Sequence, residues 1–516
     1  MATLKCGPHG GINRIFPGNR MVSKNAQKLR VLENFTSLDG RIKKVGGAIR
    51  AHDNLIESGS GRWGRRIYLE RNGERFRTQF ACIGNKLYQL DEGNRLLNQC
   101  TIDGDIVTSL NDFGYPRDAT MKVGSLVTTF LVDGEDFFKY NGNVAGNWEK
   151  LQTKLDTEGE EIHPVECAEY LDRTWVLQKN KNKLWYSANG NPELYSDSTD
   201  CGDIDLPPGD GGFPVALVKI RGFLYIWHED YFTPLSGTSH ATFGINPGDV
   251  IYGYGTRARR SVIRARNFVT FLNSKDNEWY VTGGTLDSTK IMSYELHFKE
   301  LVNPNKVDET VATFHDDIFR ASYIKTGQAT LNSEVMYSFD EEKWCGQTED
   351  RRVSVYCPWN GDGDQNELIT LRSDIGVVMK NDVGFNFDDQ AIRARLVTAD
   401  YEVDELRDGV FEYVYIDAVP SGNYSLPIKY LLDARIGLEG VENINMRGDV
   451  VNLGLITIQN QLIFVTKAFP KIGKNRGRMI RFEIDDQTLG RDIQLFNLFA
   501  VYHLTNRKFS KTIVGV

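Results

Sequence analysis

Arg257, Arg259, Arg260, Arg264 and Arg266 crowd five cations into ten residues. A guanidinium offers a planar fork of donors that fits phosphate and carboxylate oxygens. If the segment is a strand, the spacing of Arg264 and Arg266 puts both on one face. These arginines are therefore candidate phosphate or interface contacts. Ion pairing between repeated units or subunits of an acidic body is the competing use, and the preferred one.

Other constellations fit known chemistries less well. Asp362, Asp364, Asn366 and Glu367 alternate oxygen ligands in a glycine-rich loop, as hard cations require, but Glu367 stands where a calcium loop needs glycine and Ser373 where it needs a bidentate glutamate. We read a solvated acidic loop and expect no metal. Cys6 and His9 have no second pair of ligands nearby. Gly59-Ser-Gly61 lacks the outer glycine of a nucleophile elbow, and no P-loop, H-E-x-x-H or dinucleotide fingerprint occurs. Ser338-Phe-Asp340-Glu-Glu-Lys-Trp344 echoes the Asp box of sialidases without its glycine and threonine, which leaves a turn after a strand. No catalytic residue and no cofactor is assigned. A glycosidase needs only two carboxylates across a sugar, drawn from distant segments, so spacing alone leaves that chemistry open.

The elements that would hold such groups are strands. With 49 glycines, 15 prolines and 11% aromatics in 516 residues, the composition suits short strands joined by glycine turns. The hairpin from Leu171 to Leu194 is the clearest: Trp175-Val-Leu177 and Leu184-Trp-Tyr186 flank a polar turn and end at Asn189-Gly-Asn-Pro192. Related aromatic strands centre on Tyr88, Phe138, Trp185, Tyr225, Tyr280 and Tyr337, at intervals of 50, 47, 40, 55 and 57 residues. Repeats of roughly this length mark a β-propeller, whose blades bury their faces only against one another. A β-sandwich competes. Trp175, Trp185, Tyr186, Tyr225, Trp227 and Tyr280 are assigned to packing between blades.

Beyond about residue 382 the repeat stops and longer alternating runs begin, such as Val410-Phe-Glu-Tyr-Val-Tyr-Ile416 and Arg478-Met-Ile-Arg-Phe-Glu-Ile484. The reading is all-β: an extended basic arm over 1–31, a propeller of six or seven irregular blades over 32–384 and an antiparallel β domain over 385–516.

Charge is uneven. Residues 1–80 hold 16 Lys and Arg against 6 Asp and Glu, a balance of +10, so the total of −8 leaves −18 for the rest. A basic segment on an acidic body suits docking to an acidic partner or nucleic acid. Seven scattered cysteines without a C-x-x-C pair read as reduced, buried thiols. The start shows no apolar signal core and no uninterrupted apolar run is long enough to span a membrane, so a soluble protein made in a cytoplasm is expected.

Two stretches carry a resemblance: Asn34-Phe-Thr-Ser-Leu-Asp-Gly-Arg-Ile-Lys-Lys-Val-Gly-Gly47, and Asp172-Arg-Thr-Trp-Val176 with Leu184-Trp-Tyr-Ser-Ala-Asn-Gly-Asn-Pro192. They resemble the opening phrase and a middle blade of the tail nozzle (tail tubular or stabilisation) proteins of short-tailed bacteriophages. The resemblance implies a non-enzymatic virion protein of the tail, made in the bacterial cytoplasm. It implies a homo-oligomeric ring, a hexamer, below the portal and adaptor, with tail fibre or tailspike neighbours and transient passage of double-stranded DNA during ejection. Arg41, Lys43 and Lys44 would be candidates for docking the adaptor. An acidic wall would suit a conduit, because strong phosphate binding would stall transit. The alternative is a propeller glycosidase or glycan-binding module.

Overall fold

A computed structural model describes residues 2–5, 29–39, 41–54, 59–71, 74–91, 94–106, 110, 115–124, 126–142, 144–151, 155–178, 180–197, 199–209, 212–357, 367–402, 409–419, 425–433, 439–445, 463–468, 476–477, 479–488 and 490–504. The chain forms two compact units, one of residues 49–334 with 350–381, the other of 1–48, 335–349 and 382–516. Nearly every described element in both is a strand.

The first unit is a six-bladed β-propeller. Its first sheet runs Gly61–Arg71, Glu74–Ile83, Lys86–Asp91 and Leu96–Gln99. The second is built on Arg117–Val123, Leu126–Val132, Phe137–Tyr140 and Asn147–Lys150, and the third on Pro164–Tyr170, Arg173–Gln178, Lys183–Tyr186 and Gly202–Asp205. The fourth comprises Pro214–Ile220, Phe223–His228, Tyr231–Pro234 and Ile251–Tyr252; the fifth, Ile263–Ala265, Phe268–Leu272, Trp279–Thr282 and Lys290–Ile291. The hairpin of Val311–His315 and Ile318–Tyr323 follows, and the sixth sheet is built on Val353–Tyr356, Leu368–Arg372 and Val378–Asn381.

Local chemistry explains the hairpins. Tyr170 pairs with Arg173 across Leu171 and Asp172, whose φ angles are both positive (53° and 55°). Two left-handed residues in a two-residue turn match the right-handed twist of the flanking strands. Asp316 and Asp317 repeat the device (47° and 58°). Leu171 lacks the short polar side chain that eases this conformation, at a cost of roughly 1–2 kcal/mol.

Packing joins each blade to the next. Phe80 and Ile67 of the first sheet cluster with Leu131, Phe138 and Trp148 of the second. Phe130 and Val132 of the second meet Val176 and Trp185 of the third, while Trp175, Leu177 and Tyr186 meet Leu224 and Ile226 of the fourth. Tyr225 and Trp227 pack on Val269 and Phe271 of the fifth, with Tyr280 at the edge of the same cluster. Because successive side chains alternate between faces, neighbours such as Trp185 and Tyr186 serve opposite interfaces. Trp279 then packs edge-on to Phe319 of the hairpin, at 4.8 Å, and Val311 of that hairpin joins Val353 and Leu368 of the sixth sheet. Val355, Ile369 and Leu371 of the sixth return to Ala81, Ile83 and Tyr88 of the first, which closes the ring.

The ring is also fastened through the backbone. Ala51 N–H donates to the Val378 carbonyl at 2.9 Å, and Val378 N–H donates to His52 Nε2 at 3.0 Å. Burial lowers the pKa of His52, which keeps Nε2 free to accept, while Nδ1 faces the Asn54 carbonyl at 2.9 Å. Residues at the start of the unit are thereby tied to its last blade.

In the second unit, Leu29–Glu33 pairs with Ala394–Thr398, which pairs with Met479–Asp486, then Ser425–Leu432, then Glu439–Asn445, all antiparallel. Phe35–Leu38 pairs with Arg41–Lys44, which meets Gln494–Leu504, itself paired with Gly409–Ala418 and with Ala2–Lys5. Ser425–Leu432 and Met479–Asp486 bury alternate residues, placing Leu426, Ile428, Leu432, Ile480, Phe482 and Ile484 on one core face.

These pairings revise the expected boundaries. Residues 32–48 and 335–349 belong to the second unit, not to the propeller. The described parts of the expected arm, Ala2–Lys5 and Leu29–Glu33, are strands of the chain's own sheet, with partners about 370 to 500 residues away in sequence. Such distant pairing leaves no trace in local periodicity.

Candidate functional site

The innermost strands of the propeller surround a cavity of about 670 Å³. Each of the six sheets and the hairpin contributes to its wall, so the cavity lies on the propeller axis. Its polar surface is dominated by charge. Arg62, Arg65, Arg117, Lys219, Arg260 and Arg264 line it, against the carboxylates Asp118 and Glu169.

Ion pairs between blades organise this wall. Arg65 of the first blade faces Asp118 of the second at 3.2 Å, and Trp63 Nε1 donates to the same carboxylate at 2.9 Å. Arg117 of the second blade donates through Nε to Glu166 of the third at 2.8 Å, and Lys219 of the fourth pairs with Glu169 of the third. Glu166 is almost wholly buried. Burial raises its pKa against the opposing pull of Arg117 and Arg259.

Arg259 and Arg260 lie in a single 3-10 turn, Arg259–Ser261, ahead of the fifth blade. Arg259 donates to the carbonyls of Val165, at 3.0 Å, and of Tyr115. Arg260 donates to Ser354 O at 2.7 Å and Glu309 O at 2.6 Å, and its guanidinium lies over the Tyr115 ring, 3.3 Å from the centroid. Burial lowers the pKa of both arginines, that of Arg259 to about 10.

The expected arginine face is therefore corrected. Ile263–Ala265 is the whole strand, and Arg266 sits beyond it in the turn (φ 55°), paired with Asp317 at 2.8 Å. Arg257 is exposed beside Glu229 at 3.4 Å. Arg259 and Arg260 point into the molecule, and Arg264 alone projects from the strand onto the cavity wall.

The proposed docking cations also separate. Lys44 is fully buried and paired with Asp486 at 2.8 Å, so its ammonium is not available to a partner. Lys43, next to it, is exposed, and Arg41 is half-buried. Of the calcium-like loop only Glu367 lies within the described residues, where it pairs with Arg66 and Lys380; Cys6 and His9 lie outside them. No metal-ligand cluster occurs among the described residues. The six described cysteines are free and buried, and burial pushes the Cys82, Cys100 and Cys357 thiols up to about 12.

Arg62, Arg65, Arg117 and Lys219 were not singled out from sequence. Each stands in the first strand of its repeat, ahead of the aromatic hairpin, where a charge is unexpected in a strand covered on both faces. That position was the available signal.

No protein-family model matches the chain, and no curated protein matches it significantly. Among solved structures, an exo-β-1,3-galactanase from Phanerochaete chrysosporium with galactose matches at 7% identity and TM-score 0.27, over 78% of this chain and 98% of that one. A variant of that enzyme with β-1,3-galactotriose matches at 10% identity and TM-score 0.27, over 89% and 100%. Likeness at this level carries no argument, and the propeller rests on the chain's own sheets.

Proposed function

We propose that the protein is a structural component of a short bacteriophage tail, a nozzle subunit that forms a ring extending the DNA channel below the portal and adaptor. One observation carries the reading: within the stretches behind the sequence resemblance, Asn34, Gly47, Arg173 and Asn189 act as backbone pins. Asn34 adopts φ 55°, donates through Nδ2 to Arg393 O at 2.7 Å and accepts from Glu349 N–H at 2.9 Å. Gly47 faces Asn386 O so closely that a Cβ would lie 2.3 Å from it. Arg173 is buried and donates to Ser187 O at 2.7 Å and Asp200 Oδ1 at 2.5 Å, while Asp200 Oδ2 accepts from Asn189 N–H at 2.8 Å. Each contact fixes a turn or a strand entry.

The glycosidase alternative draws no support from the axial cavity. Its two wall carboxylates, Asp118 and Glu169, are each paired with a cation of an adjacent blade. A retaining or inverting pair needs one acid that holds a proton and space for a sugar or water between the two groups. Here both carboxylates are instead taken up in ion pairs with neighbouring blades. The acidic balance beyond residue 80 supports a conduit that does not hold DNA.

Particles grown without this chain, but with every other virion protein, test the role. The expected result is DNA-filled heads that lack the lower tail and deliver no DNA. Tails of normal length and normal delivery would overturn the proposal.

A further inference from the structure

We propose that the axial cavity is a binding site for a small multivalent oxyanion of the phosphate class. The inference does not rest on the tail role, because it follows from charges on the cavity wall.

Six cations face the cavity against two carboxylates, and Glu166 behind Arg117 adds a third. The imbalance concentrates on one side. Arg65, Arg117 and Lys219 each have a carboxylate partner at ion-pair distance, whereas Arg260 donates to the carbonyls of Ser354 and Glu309 beside the Tyr115 ring, and Arg264 donates to the Arg266 carbonyl. Arg260 is 5% exposed, and its Nε has no hydrogen-bond partner although it lies on the cavity wall.

A buried guanidinium held mainly by neutral carbonyls, with one N–H left without an acceptor, carries a desolvation cost that these contacts offset only in part. An anion in the cavity would offset the remainder. A phosphate-type anion fits the donors, because a guanidinium can meet two of its oxygens at once and Lys219 can add a point charge. The cavity of about 670 Å³ accommodates several linked phosphates, and a wall with more cations than carboxylates favours a chain of them over a single one. Since the donors come from different blades, the bound anion would also bridge the ring.

The test is calorimetric titration of the full chain at low salt with inorganic phosphate, pyrophosphate and tripolyphosphate. The expected result is one tripolyphosphate per chain, bound at least about tenfold more tightly than phosphate, with affinity falling as salt rises. Arg264→Gln and Lys219→Gln, both at accessible positions, should each weaken binding by about three- to tenfold, as loss of one charge-assisted contact does. Their thermal midpoints without anion should change little, because both side chains are solvent-exposed and the Lys219–Glu169 pair is solvent-accessible, which separates lost binding from lost folding. Absence of binding at millimolar tripolyphosphate would overturn the proposal. So would equal affinity for phosphate and tripolyphosphate, or a Lys219→Gln, Arg264→Gln double variant that binds as tightly as the wild type.

Discussion

Trp185→Ser is expected to yield no soluble, folded protein. Trp185 is 1% exposed and lies in the cluster that joins the second and third blades, among Phe130, Val132, Cys167, Val176 and Tyr195. Removing a buried tryptophan costs about 3–5 kcal/mol through lost transfer energy and the cavity left behind. The serine hydroxyl, with no assigned acceptor in an apolar cluster, adds roughly 1–3 kcal/mol. Together these approach the roughly 5–15 kcal/mol that holds a typical domain folded. The interface must also close a ring, so its failure exposes the facing surfaces of both blades. Soluble yield and the urea midpoint of any recovered protein give the answer. A soluble variant with the wild-type midpoint would contradict the assignment of Trp185 to the interblade core.

Lys44→Ala should cost nearly as much in the second unit. Nζ of Lys44 and Oδ2 of Asp486 lie 2.8 Å apart, with the two side chains 0% and 1% exposed. Without the lysine, Asp486 keeps, among the described residues, only Thr488, whose Oγ1 and N–H donate to Oδ1 at 2.6 and 3.3 Å, and its buried charge loses its cation. Breaking one side of a buried pair typically costs about 3–5 kcal/mol, more than the pair itself contributes. The double replacement Lys44→Met with Asp486→Leu should therefore recover most of the loss. Urea titrations of the two single variants and the double variant measure this as a cycle. Simple addition of the single costs in the double variant would contradict the account.

Legibility differed between fold and site. The propeller could be read because blades have local signatures: the aromatic strands around Tyr88, Phe138, Trp185, Tyr225 and Tyr280 each fall in a separate sheet. Blade packing followed from the same residues, since large rings in short strands have few other places to go. The division of units could not be read, because Leu29–Glu33 finds its partner at Ala394–Thr398, and no local pattern records that pairing. The cavity was hidden for the same reason. Its charges stand one or two to a blade, at Arg65, Arg117, Lys219 and Arg264, and only closure of the ring assembles them. The dense arginine run is the stronger signal in the sequence, yet Arg259 and Arg260 serve buried carbonyls and Arg266 a turn. Spacing along a chain could not distinguish those uses, since the run is divided among a 3-10 turn, a three-residue strand and a hairpin turn.

The central claim is assembly into a ring that encloses a channel. It is tested most directly by mass measurement and electron microscopy of the full chain, alone and mixed with the adaptor ring of the same tail. The account predicts a closed ring of six 58.5-kDa chains, formed alone or on the adaptor, with an axial opening wide enough for duplex DNA. A protein that remained a monomer under both conditions would contradict it.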